Sequence, residues 1–211
     1  MTQTQSSVYQ GQFGEFTVTE DDRKSVIIYR GGLITAALSF AFGTCLLLEW
    51  GATAVLTPLF ALFSLGLGVS LLTIHIYLAP LHRLLQGFWL IGTVASGVLT
   101  LQSTEPLALY VYHHPVTLFG IGFTFAALTG IFFKEAVCFN RLETKFLIPV
   151  VPMLLLGHLG GVLSVSMELV LLVIWTVLFI IFAVRKAVQA IPPDIGDKSV
   201  FAHLKQQRLG V

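Results

Sequence analysis

The sequence has few charged residues, and this scarcity excludes most soluble classes of protein. Only 11% of its 211 residues are Asp, Glu, Lys or Arg, whereas 55% are hydrophobic. A soluble globular protein of this length needs roughly a quarter of its residues charged. The composition therefore indicates a protein that resides in a membrane.

Cysteines and enzyme motifs are also scarce. The two cysteines, Cys45 and Cys138, lie at opposite depths of the predicted spans, so an internal disulfide is excluded. The sequence contains no HExxH, phosphate-loop, Gly-x-Ser-x-Gly or dinucleotide-binding motif. Membrane enzymes often lack such motifs, so their absence is weak evidence. We predict no catalytic residues and favour a protein that is not an enzyme.

Six long apolar runs are present instead. They cover residues 31–49, 55–79, 84–103, 116–133, 146–164 and 168–185. Each run is long enough to cross a hydrocarbon core of about 30 Å as a helix. Helices are expected because backbone groups in lipid must be satisfied within each segment.

Every second loop along the chain lacks positively charged residues. The first, third and fifth loops contain no Lys or Arg, and all twelve basic residues lie in the other loops and at the two ends. Short loops rich in Lys and Arg stay in the cytoplasm. We therefore predict an all-α polytopic membrane protein with six transmembrane helices and with N- and C-termini both cytoplasmic. Topology accounts for the basic residues, so no nucleic-acid partner is expected.

Three regions follow from these spans: a polar head (residues 1–24), a six-helix membrane domain (25–187) and a polar tail (188–211). The head carries no signal-peptide or transit-peptide pattern and forms either a short strand or a coil. In the tail, Pro192 and Pro193 end the sixth helix. Residues 198–208 form either a short basic helix or a disordered segment.

The fifth predicted span combines residues that weaken a helix. They are Pro149, Pro152, Gly157, Gly160 and Gly161. Pro58 and Gly66 in the second span have the same spacing as Pro149 and Gly157. Broken helices in corresponding positions are typical of transporters with inverted repeats. One hypothesis is therefore a small-solute or ion transporter whose fifth helix unwinds near residues 157–161.

His158 is an ionisable residue about 18 Å along this span, and such residues are functional candidates. It bonds to a neighbouring helix, binds a cofactor as the axial ligand of a tetrapyrrole, or relays protons. His75 lies at a different depth, which excludes a haem held by both histidines. His114, His158 and an outer glutamate form a weak alternative cation site, and we predict no metal.

The most polar internal segment is residues 134–145. If the fourth helix continues through it, Lys134, Cys138, Arg141 and Lys145 share one face. Glu135 and Glu143 lie off this face and need partners elsewhere. The segment is either a basic membrane interface or a contact surface for an anionic headgroup or a partner protein. The predicted contact residues are Lys134, Glu135, Cys138, Asn140, Arg141, Lys145, His82 and Arg83.

Four stretches of the sequence resemble a known family. They are residues 8–14 (VYQGQFG), 77–86 (YLAPLHRLLQ), 120–143 (from GIGFTF to CFNRLE) and 154–159 (LLLGHL). Together they resemble uncharacterised integral membrane proteins of cyanobacteria and plastids. The resemblance implies a cyanobacterial plasma or thylakoid membrane and no particular activity.

We therefore expect a non-enzymatic assembly, scaffold or accessory factor. Its expected partners are membrane lipids and a membrane protein complex. The transporter and the tetrapyrrole-binding protein remain the alternatives.

Overall fold

The computed structural model describes residues 7–76, 78–200 and 203. Within these residues, two strands precede eight helices and a 3-10 turn at Pro115–Thr117. The strands are β1 (Ser7–Gly11) and β2 (Gly14–Val18). The helices are α1 (Glu20–Trp50), α2 (Leu56–Thr73), α3 (Ala79–Gln102), α4 (Leu107–His113), α5 (Leu118–Phe139), α6 (Leu142–Leu159), α7 (Val165–Val188) and α8 (Pro192–Ile195).

Six of these helices, α1, α2, α3, α5, α6 and α7, are long and apolar enough to cross a membrane. The prediction of an all-α polytopic membrane protein with six transmembrane helices is confirmed. Several predicted boundaries are wrong: polar residues extend some helices beyond their apolar runs, whereas the second and fifth spanning helices end before theirs, at Thr73 and Leu159. The fourth spanning helix, α5, continues to Phe139, and the fifth, α6, covers residues 142–159 rather than 146–164.

The first helix begins earlier than its apolar run, at Glu20, because Thr19 and Asp22 form a capping box. The Thr19 hydroxyl accepts a hydrogen bond from the Asp22 amide (3.2 Å), and the Asp22 carboxylate accepts one from the Thr19 amide (2.8 Å). These bonds satisfy amides that have no partner at a helix start. Acidic residues in the first turn also interact favourably with the helix dipole.

The spanning helices form a ring in chain order: each packs on the next, and α7 packs on α1. The contact between α1 and α2 depends on two glycines. A Cβ atom on Gly32 would lie 2.5 Å from the carbonyl oxygen of Gly66, and one on Gly66 would lie 2.6 Å from that of Gly32. Small residues let backbones approach this closely, which is the main route to tight packing in lipid.

Aromatic side chains fill the middle of the ring. The ring of Phe40 lies 4.5 Å from that of Trp175, and the Phe125 ring lies 5.7 Å from that of Phe63. Phe132 packs edge-on against Phe179. This aromatic layer separates two polar ends, and each end holds one candidate site.

The two ends differ in charge among the described residues. The basic end carries all the described Lys and Arg residues, the α2–α3 and α5–α6 loops, and the first and last described segments of the chain, residues 7–19 and 189–200. The acidic end carries Glu49, Glu105 and Glu168. The positive-inside pattern predicts that the basic end is cytoplasmic.

A small cap covers the basic end and joins the head to the tail. We define the cap as residues 7–19 and 189–200. The head forms an antiparallel hairpin, so the strand alternative is correct. Asp197 accepts a hydrogen bond from the Gln12 amide (2.6 Å), and Val18 packs with Val26 and Ile195. The proposed helix at residues 198–208 lies largely outside the described residues.

Candidate functional site

A network of buried charges lies at the basic end around Lys186, which is fully buried. Its ammonium group donates to Glu135 (2.6 Å) and to Asp194. Glu135 also accepts from Lys134 (2.9 Å) and from the Tyr29 hydroxyl (3.2 Å). We call these residues, with Arg30, the Lys186 cluster. It joins α1, α5, α7 and α8.

Arg30 fixes the tail within this cluster. Its guanidinium donates to Asp194 at 2.9 Å and 2.6 Å, and also to the carbonyl oxygens of Gln189 (2.6 Å) and Ala190 (2.9 Å). These carbonyls follow the end of α7, where backbone acceptors have no helical partner. Burying charges in this way is tolerated only when they are paired and fully hydrogen-bonded. The arrangement therefore locks the tail onto the helices.

A second ionic group lies beside this cluster. Glu143 accepts a hydrogen bond from Arg185 (2.8 Å), and Arg141 donates to Gln189. Arg141 and Glu143 are themselves 3.8 Å apart, and the facing nitrogen and oxygen have no hydrogen-bond partner among the described atoms. The partners that Glu135 and Glu143 need thus come largely from the last turn of α7. No spacing in the sequence reveals a pairing over such distances along the chain.

The predicted basic face on the fourth spanning helix is not formed. The helix ends at Phe139, and Asn140 adopts a left-handed conformation with φ of 52°. Lys134 and Arg141 then point inward, where their side chains are about 10% and 9% exposed. A helix that ended later would have kept them on one face with Cys138 and Lys145.

The remaining residues of the polar segment 134–145 that are exposed lie on the outward side of the α5–α6 turn. Lys145 donates to Asn140 (2.6 Å), and both are exposed. Exposed apolar side chains, Val137 and Leu142, flank the exposed Cys138. We call Val137, Cys138, Asn140, Leu142 and Lys145 the corner surface.

His82 and Arg83, the other predicted contact residues, lie at the start of α3. The Nε2 atom of His82 lies 2.6 Å from the carbonyl oxygen of Leu71, and Gln86 donates to the same oxygen at 3.2 Å. His82 thus caps the end of α2, whereas Arg83 is exposed. In the adjacent loop, burial lowers the pKa of His75.

At the acidic end, His158 forms a compact site with Glu168 and Tyr112, which we call the His158 triad. Its Nδ1 atom lies 2.7 Å from Glu168, and its Nε2 atom lies 3.1 Å from the Tyr112 carbonyl oxygen. The Tyr112 hydroxyl donates to Glu168 (3.2 Å), and the rings of Tyr112 and His158 stack at 4.8 Å. The triad joins α4, α6 and α7.

The tautomer of His158 decides which of its two contacts is a hydrogen bond. A carbonyl oxygen and an ionised carboxylate oxygen only accept, so each ring nitrogen donates only when it carries a hydrogen. Burial and the Glu168 carboxylate raise the pKa of Tyr112. Axial ligation of a tetrapyrrole by His158 would require one of these contacts to break.

The other histidines of this end do not join the triad. His113 lies 3.8 Å from Glu105, and His114 bonds to the carbonyl oxygen of Tyr110 (2.9 Å). Among the described residues, no three His, Cys, Asp or Glu side chains are grouped so as to hold a metal ion.

The expected unwinding of the fifth span is wrong. The helix α6 is continuous from Leu142 to Leu159, with Pro149 and Pro152 in its interior. Gly160 and Gly161 follow its end, and Gly161 turns the chain with φ of 62°. His158 therefore lies in the last turn of the helix, near the membrane surface.

Comparisons with known proteins give a family and no activity. No curated protein and no solved structure matches the chain. Residues 69–203, from the last turns of α2 into the tail, match the family described as uncharacterized integral membrane protein (DUF2301). This match covers more than half of the sequence, and an integral membrane protein is what the apolar helices also indicate. The chain therefore belongs to the DUF2301 family of integral membrane proteins.

Proposed function

We propose that this protein is a non-enzymatic assembly or scaffold factor of a cyanobacterial plasma or thylakoid membrane. It contacts another membrane protein through the corner surface. The observation that supports the proposal is the orientation of the side chains around the α5–α6 turn. Glu135, Arg141 and Glu143 are buried and paired inside the protein, while the corner surface points outward.

The inward charges support a docking role because they fix the turn. Unfixed loops lose conformational entropy when they bind, which weakens binding. Here the left-handed Asn140 and the buried Arg141 hold the turn in one conformation. A partner meets a surface that is already ordered.

The outward composition supports a protein partner. Val137 and Leu142 are 68% and 66% exposed, and they lie at the ends of two spanning helices next to the exposed Lys145. Apolar side chains with polar groups at their rim are the usual composition of a protein interface. Lipid contact is the competing use of the same residues.

The two native cysteines provide the test. A photoreactive maleimide is attached to Cys138 in a Cys45→Ser variant, and membranes are illuminated before mild detergent extraction. We expect a discrete protein adduct that mass spectrometry identifies. The matched control attaches the same reagent to Cys45 in a Cys138→Ser variant. Cys45 lies in the part of α1 that is near the acidic end of the bundle. Adducts with lipid alone at Cys138, or the same protein adduct from Cys45, would overturn the proposal.

Substitutions then distinguish a loss of partner binding from a loss of folding. Leu142→Gln with Lys145→Glu changes the exposed corner surface and should abolish the adduct while the protein accumulates normally. Lys24→Glu is the control at the same end, since its side chain is 70% exposed and away from the turn. An adduct that survives the double substitution would argue against the corner surface.

A further inference from the structure

A groove runs between α5 and α6 in the half of the bundle near the acidic end. Its volume is about 380 Å³, within the range of about 300–1,000 Å³ typical of ligand pockets. The lining is apolar, with a single hydroxyl from Thr129 that already donates to the Phe125 carbonyl oxygen. We propose that this groove binds one acyl chain of a membrane lipid with an uncharged or zwitterionic headgroup.

The length of the groove fits one lipid chain. It extends from Leu118 and Leu159, at the helix ends, to Thr129 and Val151 near mid-span. Eleven residue steps from Leu118 to Thr129 correspond to about 16 Å along a helix. The hydrocarbon core is about 30 Å thick, so the groove matches the depth of one leaflet.

The depth of the groove distinguishes it from ordinary lipid-facing surface. Its floor includes Val151, only 1% exposed, and Phe125, whose ring packs 5.3 Å from that of Trp175 in the aromatic layer. Gly122 lines the groove, and a Cβ atom added there would have no neighbour within 4 Å. A chain in this groove therefore contacts side chains of both α5 and α6.

The charge at the open end selects the headgroup. The acidic end carries Glu49, Glu105 and Glu168, and none of the described Lys or Arg residues lies there. An anionic headgroup would meet carboxylates there and none of the described Lys or Arg side chains to pair with. A neutral or zwitterionic headgroup avoids this repulsion.

The test uses phosphatidylcholine with a diazirine in one acyl chain, in vesicles that contain the purified protein. We expect photolabelling to concentrate on residues 118–129 and 151–159. Gly122→Leu fills the groove and should reduce this labelling about tenfold, equivalent to about 1.4 kcal/mol of binding. Gly97→Leu is the matched control, because Gly97 is an exposed glycine on α3 with equally open surroundings, and it should change nothing.

Two results would overturn the inference. One is labelling spread evenly over the exposed faces of α3 and α7 and unaffected by Gly122→Leu, which indicates surrounding lipid only. The other is stronger labelling of the groove by the matching phosphatidylglycerol probe. Thermal unfolding verifies that Gly122→Leu is folded, and Ala126→Leu, at an exposed position in the same groove, provides a second filling variant.

Discussion

Glu135 and Lys186 lie 51 residues apart in the sequence, and their side chains meet at 2.6 Å with neither exposed to solvent. The contact joins the ends of α5 and α7 at the basic end. Lys134 adds a second cation to Glu135, and Arg30 adds one to Asp194. Three cations thus surround two carboxylates, and this imbalance determines which substitution is most damaging.

Glu135→Gln should be more destabilising than Lys186→Met. The first change leaves Lys186 and Lys134 with too little negative charge and should cost about 3–5 kcal/mol in the free energy of unfolding. The second change leaves each carboxylate with one cation, and unsatisfied acceptors should cost about 1–3 kcal/mol. Detergent-induced unfolding in mixed micelles measures both.

Controls for this prediction are the double variant and an exposed lysine. Glu135→Gln with Lys186→Met should be more stable than Glu135→Gln alone, because the excess charge is removed. Lys24→Met changes a side chain that is 70% exposed and should have little effect. Equal costs for the two single variants would contradict the charge count.

The sequence predicts those features of the fold and the site that depend on residues close together along the chain. Six spans follow from apolar runs, because each run is long enough by itself to satisfy its backbone in lipid. The capping residues Thr19 and Asp22 also carry a local signal, which marks the true start of α1. The pairing of Lys186 with Glu135 and Asp194 carries none, since it arises only when α7 closes the ring onto α1 and the tail folds back.

The left-handed Asn140 illustrates the same limit. An asparagine within a polar segment is compatible with a continuing helix or with a turn. The turn is selected because it brings Arg141 and Glu143 inward against Gln189 and Arg185. The helical-face prediction failed because it treated the segment as an isolated helix.

Asp194→Asn should release the tail. The carboxylate of Asp194 accepts from Arg30 and Lys186, and hydrogen bonds to charged groups contribute about 1.5–3 kcal/mol. Losing them should raise proteolytic cleavage within residues 189–200 by about tenfold to a hundredfold, because cleavage follows the population of the open form. Asp21→Asn is the control, with a side chain that is 94% exposed. Unchanged cleavage would mean that the other contacts, those of Arg30 with the Gln189 and Ala190 carbonyls and those of the hairpin, hold the tail.

Tyr112 should ionise at higher pH than a tyrosine free in solution, since partial desolvation and the neighbouring Glu168 carboxylate raise its pKa. A raised pKa in the folded state favours the protonated phenol. Its contribution to stability is therefore complete below the unfolded value of about 10 and is lost as pH rises through the folded value. Phenolate absorbance, compared between the wild type and Tyr112→Phe, isolates this group.

A matched substitution tests the cause. Glu168→Gln removes the negative charge but keeps an acceptor for the Tyr112 hydroxyl, so the pKa of Tyr112 should fall toward its ordinary value. The alkaline loss of stability should then be smaller and complete at lower pH, because the folded and unfolded pKa values of Tyr112 lie closer together. A titration curve identical to that of the wild type would show that Glu168 does not influence Tyr112.

The basic end should face the cytoplasm, because it holds all the described Lys and Arg residues. Cys138 and an introduced Thr104→Cys, both exposed and at opposite ends, report on the two sides. Both reporters are tested as single cysteines in a Cys45→Ser background, and the Thr104→Cys variant also carries Cys138→Ser. On intact cells, a membrane-impermeant maleimide should label the Thr104→Cys variant. It should label Cys138 only after the membrane is opened. The reverse pattern would place the cap and the corner surface outside and would redirect the search for a partner to that side.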